Sequence, residues 1–286
     1  MLAFQEIIVT GDGLGTNPRS LSALVEVLED PASGADLLLP IVELDMGLTA
    51  ELLRFCNSSF YGRRHEIGTV REALVLTGNL AFSRIALMAS MKQMLQRDLP
   101  AYQLTMDQVW RQGLMTAIGA AHIVEVLGHP EQRDRAFTAG LLHDCGKLLL
   151  DQELAGSTPR VQNVDGQIPI EVERAVTGFD HAEAGAVIMD HWGFPPLLVH
   201  AVLCHHKPRQ AGMHGDVATA VFIADQLGHL RNMGVAFDAE VVDSPYDELV
   251  ALGVEVGDLV ALYDMLPDGD DDLTALALDV RSAPGR

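Results

Sequence analysis

The alternation of apolar and polar positions divides this chain into helical segments. Apolar residues recur at three- and four-residue steps, and no stretch sustains the strict two-residue alternation of a half-buried strand. Helix starts can be read in the intervening loops. Asn17 followed by Pro18 has the form of an N-cap with proline at the first helical position, opening "RSLSALVEVLED". Thr69 with Glu72, and Thr105 with Gln108, have capping-box spacing, in which two positions three apart exchange side-chain and backbone hydrogen bonds. Asp180 with Glu183 repeats that spacing ahead of "HAEAGAVIMDHW". Short segments rich in Gly, Pro, Asn and Asp separate the runs, and no internal repeat of solenoid length is present. The pattern predicts an all-α protein.

Breaks in the pattern suggest its organisation. "QRDLPAYQLT", near residue 100, sets a proline and polar residues between two helical blocks. "AGSTPRVQNVDGQIP", about 155 to 169, reads as an excursion loop. Expected units are a helical lobe over 1–104, a second over 105–235, and acidic helices with a tail over 236–286 that pack in part on the second. Residues 236–286 hold thirteen acidic and two basic residues, about half of the net charge of −21. Within them "YDELVALGV" and "VGDLVALYDML" are amphipathic, whereas "PDGDDD" and "RSAPGR" are expected to be solvated.

Composition excludes several function classes. The charge argues against a nucleic-acid surface, which needs basic clusters, and against adhesion to anionic lipid. No apolar run approaches the roughly 18 to 20 residues that span a bilayer. "MLAFQEIIV" lacks a basic leader and a cleavage site, and three scattered cysteines make no disulfide framework. A reduced, cytoplasmic protein is expected. "TGDGLG", at 10 to 15, lacks the Gly-Lys-Ser/Thr ending of a phosphate loop and is read as an ordinary loop.

The chemistry concentrates from "AGLLHDCGKLLL", residues 139 to 150, onward. There an apolar run is interrupted by His143 and Asp144. Burying an imidazole and a carboxylate is costly without partners, so the pair either binds metal or belongs to an internal hydrogen-bond network. His181 and the pair His205-His206 follow. In "VATAVFIADQLGHL" helical spacing places Asp225 on the apolar stripe of Ala218, Val221 and Phe222, where a carboxylate needs a cation, a metal or several donors. Imidazole and carboxylate together suit iron, manganese or zinc. Cys145 and Cys204 adjoin candidate ligands but are read as small buried hydrophobes.

These residues resemble the HD superfamily, in which a histidine, a His-Asp doublet, later histidines and a terminal aspartate bind metal and hydrolyse phosphoesters. More specifically, the chain resembles HDOD-domain proteins. The first half matches at "LDMGLTAELLRFCNSSFYGRRHEIGTVREALVLTG", residues 44 to 78. The second matches at "VWRQGLMTA", "AGLLHDCGK", "HAEAGAVIMDHWGFPPLLVHAVLCHH" and "VFIADQLG". The resemblance spans roughly residues 15 to 265 and implies a two-lobe helical HDOD fold whose C-terminal lobe is HD-like.

Carried over residue by residue, it implies a ligand set of His143, Asp144, His181, His205, His206 and Asp225, holding one divalent ion or none. The superfamily's first histidine falls on Gln112, a weaker ligand. His122 cannot replace it, because ten residues of helix displace it by roughly 15 Å. His191 and His200 match no ligand position. Lys147 occupies the phosphate-contacting position of the cyclic di-GMP-cleaving relatives. Their Gly-Tyr-Pro segment is missing after His206, so that reaction is not expected. The resemblance implies a non-catalytic regulatory or scaffold module acting through protein partners in bacterial signal transduction. The alternative is a metal-dependent phosphohydrolase of an unidentified nucleotide or phosphoester. The sequence leaves the oligomeric state open.

Overall fold

A computed structural model describes residues 18–29, 37–57, 67–95, 97–157, 168–237, 253–267 and 270–278. The described residues form α-helices and short 3-10 turns with no strand; one isolated antiparallel bridge joins Leu99 and Leu104. The helices are α1 (Pro18–Glu29), α2 (Leu39–Leu44), α3 (Met46–Cys56), α4 (Val70–Thr77) and α5 (Asn79–Met94). Then come α6 (Met106–Val126), α7 (Arg133–Leu142), α8 (Cys145–Ser157), α9 (Ile170–Thr177) and α10 (His181–His191). The last are α11 (Pro196–Leu203), α12 (Gly215–Asn232), α13 (Val256–Met265) and α14 (Asp270–Leu278). None is long and apolar enough to cross a membrane.

The expected helix starts are present. α4, α6 and α10 each open on a complete capping box: Thr69 with Glu72, Thr105 with Gln108, Asp180 with Glu183. α1 begins at Pro18, while Asn17 and "TGDGLG" lie outside the described residues. Asn57 caps the end of α3 and ties it to the next segment. Its amide nitrogen donates to Leu53 O and Ile67 O, and its amide oxygen accepts from Ile67 N. One expectation needs correcting. The excursion loop does not begin at 155, because α8 continues to Ser157. In "PDGDDD", Asp270–Asp272 form the first turn of α14, while 268 and 269 lie outside the described residues. Most of "YDELVALGV", and all of "RSAPGR", lie outside the described residues.

The site depends on how α6 is surrounded. This helix packs along α7 and α12 and supports α14. Its crossing with α7 is close because Gly140 leaves no side chain there: a Cβ would lie 2.7 Å from Thr116 O. α8 packs against α10 with Gly146 at the crossing, where a Cβ would lie 1.9 Å from His181 O. Those two contacts bring the end of α7, the start of α8 and the start of α10 to one point. The connector 97–105 lies beside it, closed by Leu99 N to Leu104 O at 2.8 Å and Leu104 N to Leu99 O at 3.1 Å. Asp151 of α8 pins the connector by accepting from Ala101 N at 2.9 Å and from the Arg97 guanidinium.

Candidate metal centre

Six residues singled out by sequence converge. His143 sits between α7 and α8 with Asp144, His181 opens α10, His205 and His206 follow α11, and Asp225 comes from α12. His143 Nε2 lies 3.2 Å from Asp225 Oδ1 and 3.4 Å from Asp144 Oδ2. His181 Nε2 lies 3.3 Å from Asp144 Oδ1 and 2.8 Å from His206 Nε2. The His205 ring centroid is 5.2 Å from that of His143, 5.3 Å from that of His181 and 4.0 Å from that of His206. All are buried except His206, which is partly covered. By contrast His191 and His200 are exposed; His200 Nδ1 faces Pro196 O and its ring lies near that of His214.

The tautomers are fixed from behind. His143 Nδ1 faces Gly140 O at 2.8 Å and His205 Nδ1 faces Val202 O at 2.6 Å, so each must carry its proton there. His181 Nδ1 faces both oxygens of Glu173, at 3.0 and 2.9 Å. At His205 the Nε2 lone pair is then directed into the cluster; His143, whose proton affinity Asp144 and Asp225 raise despite burial, also faces Asp225 Oδ1 through Nε2, a proton that metal binding would displace. A carboxylate or carbonyl behind an imidazole is the usual support of a metal-binding histidine, since it sets the ring's orientation and raises its basicity. Glu173 is fully buried and also accepts from His181 N at 2.7 Å and Tyr102 OH at 2.8 Å.

His205 Nε2 is buried with no hydrogen-bond partner among the described residues. His181, His205 and His206 each offer a nitrogen within 4.8 Å of the others. Nitrogens sharing one ion at about 2.0–2.1 Å would stand roughly 3.3 Å apart. A buried orphan lone pair among imidazoles and carboxylates fits a divalent transition metal better than a closed hydrogen-bond network.

Charge is shared unevenly among these groups: Asp144 and Asp225 raise His143 despite its burial. Burial would raise Asp144, but His143, Lys147 and His181 outweigh it and hold the carboxyl below its ordinary range. Asp225 is likewise held low despite burial, chiefly by its hydrogen bond with His143. Burial, with His206 and His143 close by, pushes His205 well down, and burial beside His181 takes His206 down to about 4. Both imidazoles are therefore neutral at pH 7, the form that binds metal. Lys147 Nζ donates to Asp144 Oδ2 at 2.7 Å and lies 5.7 Å above the Tyr102 ring.

Gln112 is near the cluster but turned to another task. Its amide nitrogen donates to Asp225 Oδ1 at 2.8 Å and Asp225 O at 3.0 Å, and its oxygen accepts from Asn232 at 2.6 Å. Above Asp144, Lys147 and Asp225 a cavity of about 470 Å³ opens to solvent between α6, α12 and the connector. Glu173 and Tyr102 were missed by sequence reasoning. Glu173 shares the buried face of α9 with Thr177, the same kind of signal that marked Asp225; Tyr102, in a connector, had none.

A family model, the HDOD domain, matches residues 14–208. An uncharacterized protein of Treponema pallidum (strain Nichols) is 21% identical over 243 residues, covering 83% of this chain and 45% of that one. The chain thus spans less than half the length of that curated relative. A solved structure from Shewanella amazonensis, named "Putative phosphohydrolase", has a TM-score of 0.68 at 22% identity, covering 96% of this chain and 97% of the other. One from Marinobacter aquaeolei, named "Putative signal transduction protein", also has 0.68, at 23% identity and with 92% and 59% covered.

Proposed function

The chain belongs to the HDOD domain family, and from that premise we propose that it is a cytoplasmic regulatory module built around one divalent metal ion. His143, Asp144, His181, His205, His206 and Asp225 supply the candidate ligands. Iron, manganese or zinc is the class of ion. The module would report metal occupancy to protein partners in signal transduction. A lobe over 1–104 and a second over 105–235 would move as the units of that response, with 236–286 resting in part on the second.

One observation carries the choice of a regulatory centre over a hydrolytic one. Both ends of the Gln112 amide are consumed, by Asp225 and by Asn232. An amide oxygen turned toward Asn232 is a poorer ligand for a second ion than an imidazole would be, and in-line displacement at phosphorus is best served by two ions clamping the attacking and leaving oxygens. The chain's own residues then hold and orient: Glu173 and the carbonyls of Gly140 and Val202 keep the imidazoles turned inward, and Gln112 keeps Asp225 in place.

A second reading, metal-dependent phosphohydrolysis, is favoured by the cavity, which gives a solvent path to Asp144, Asp225 and Lys147. The relative from Shewanella amazonensis carries a phosphohydrolase name. A bound divalent ion would supply Lewis acidity toward an oxygen there, and Lys147 would contact a phosphate oxygen. Assays of phosphomonoesters and phosphodiesters with metal-loaded protein and His143→Ala separate the two readings. No turnover above the variant's background supports the regulatory module. Turnover that the variant abolishes supports the hydrolase.

A further inference from the structure

A chain of hydrogen bonds runs from the C-terminal helices to the metal centre. It begins just after α13, where Pro267 O accepts from Arg111 Nη2 at 3.1 Å. Arg111 Nε donates to Asn232 Oδ1 at 2.9 Å, and Asn232 Nδ2 donates to Gln112 Oε1 at 2.6 Å. Gln112 Nε2 then donates at 2.8 Å to Asp225 Oδ1, the oxygen that also faces His143 Nε2 at 3.2 Å. The polarity of this chain is fixed at both ends, because a guanidinium only donates and a carboxylate only accepts. Each amide between them therefore has one allowed orientation. Neither can turn alone without setting two acceptors or two donors face to face.

The fold makes room for the chain and holds its far end. Gly228 of α12 faces the Gln112 amide, where a Cβ would lie 3.3 Å from Nε2. Gly119 lets α6 approach α12 closely: a Cβ there would lie 2.8 Å from that of Ala224 and 3.7 Å from Leu262 Cδ2 of α13. Leu259 and Leu262 are buried where α13 sits on α6 and α12, and Leu273 and Ala277 where α14 sits on α5 and α6. Tyr263 OH fastens α13 by donating to Val235 O at 2.7 Å, with the Arg231 guanidinium 4.9 Å over its ring.

With α13 and α14 seated, Gln112 holds the Asp225 carboxylate in one orientation, and a ligand held from behind binds its ion more tightly. When the pair lifts, Pro267 O leaves Arg111 and the chain loses its fixed end. We infer that Arg111 and Asn232 are positioning residues of the metal centre, and that through them the seated α13–α14 pair and the bound ion stabilise each other. The inference rests on the single-ion reading and names the element through which occupancy of that centre is read out. Linkage makes the effect reciprocal: the factor that seating adds to metal affinity, the ion returns to seating. Asn232 faces solvent, which sets the coupling at the low end of the usual range, about fivefold.

The test is hydrogen–deuterium exchange of the full chain, manganese-loaded and chelator-stripped, with metal content measured in each sample. Peptides covering 256–278 report the helix pair, and those covering 181–191 report the centre itself. In the wild type manganese is expected to slow exchange at 181–191, and at 256–278 by about fivefold. Asn232→Asp keeps an acceptor for Arg111 but sets a carboxylate against Gln112 Oε1, so the Gln112 amide can no longer satisfy both neighbours. This variant is expected to bind manganese about fivefold more weakly in competition with a chromophoric chelator. It should keep the response to manganese at 181–191 and lose the response at 256–278. Arg111→Met, which removes both bonds of the guanidinium, is expected to do the same. If manganese is bound but leaves 256–278 of the wild type unchanged, or if either variant keeps the full response there, this inference falls and the single-ion reading stands. If no metal is bound, both fall.

Discussion

Glu173→Gln is the most informative perturbation of the cluster, because it changes one oxygen of a buried group and leaves every candidate ligand in place. In the native protein Glu173 Oε2 accepts from His181 N and Nδ1, and Oε1 accepts from Tyr102 OH at 2.8 Å. Burial would raise this carboxyl, but the hydrogen bonds from His181 and Tyr102 outweigh it and hold it below its ordinary value, so it is charged. In the variant the amide nitrogen turns toward Tyr102, whose hydroxyl can accept, and the oxygen keeps both His181 contacts.

Three charge-assisted bonds thus become neutral ones, each weaker by about 1 kcal/mol, for a loss of about 2–3 kcal/mol. Urea unfolding of the stripped protein measures this loss. Imidazole basicity at His181 falls as well, and loss of such support lowers metal affinity about ten- to a hundredfold. Competition against a chromophoric chelator reads that second effect. Tyr102→Phe, which removes one donor of the three, is expected to cost about 1 kcal/mol and to move metal affinity less. Metal affinity within about twofold of wild type in Glu173→Gln would refute the argument that Glu173 holds His181 for an ion.

Other expectations follow from the same geometry. Gly146→Ala puts a methyl 1.9 Å from His181 O and 2.7 Å from Gly185 N, both rigid backbone; the expected cost is about 3 kcal/mol or more, seen as a lower urea midpoint, with metal lost in parallel. Burial pushes the Cys145 thiol up to about 12, so iodoacetamide at pH 8 should modify it only after unfolding; labelling of the folded protein, read by peptide mass mapping, would contradict this. Burial also lowers His122, with Arg133 adding to the effect and Glu125 opposing it. A histidine depressed in the folded state contributes stability above its unfolded value of about 6.5 and loses it as pH falls. Stripped His122→Gln should therefore lose less stability than wild type between about pH 7 and pH 5, and identical urea midpoints across that range would exclude the effect.

Much of this was legible in the sequence because it is local. Capping boxes need two residues three apart, and all three proposed ones formed. The His143-Asp144 doublet stood out as polar residues in an apolar run, and Asp225 as a carboxylate on an apolar stripe. Glu173 obeyed the same rule, at the spacing that buries Thr177, but without the resemblance to direct attention to it. Tyr102 could not be found this way. Its role comes from a connector whose shape is set by Asp151, some fifty residues away. The role of Gln112 was half visible: its type argued against ligation, but its bonds to Asp225 and Asn232 depend on the α6–α12 crossing.

The central claim, that the histidine–aspartate cluster holds a single divalent ion, is tested most directly by elemental analysis of full-length protein purified without chelator and with limited oxygen. His181→Ala and His143→Ala are measured beside it. The account predicts about one iron, manganese or zinc per chain in the wild type and a loss of most of it in both variants. Metal-free wild-type protein that takes up none of the three ions when they are supplied, with variants that are merely less stable, would contradict it.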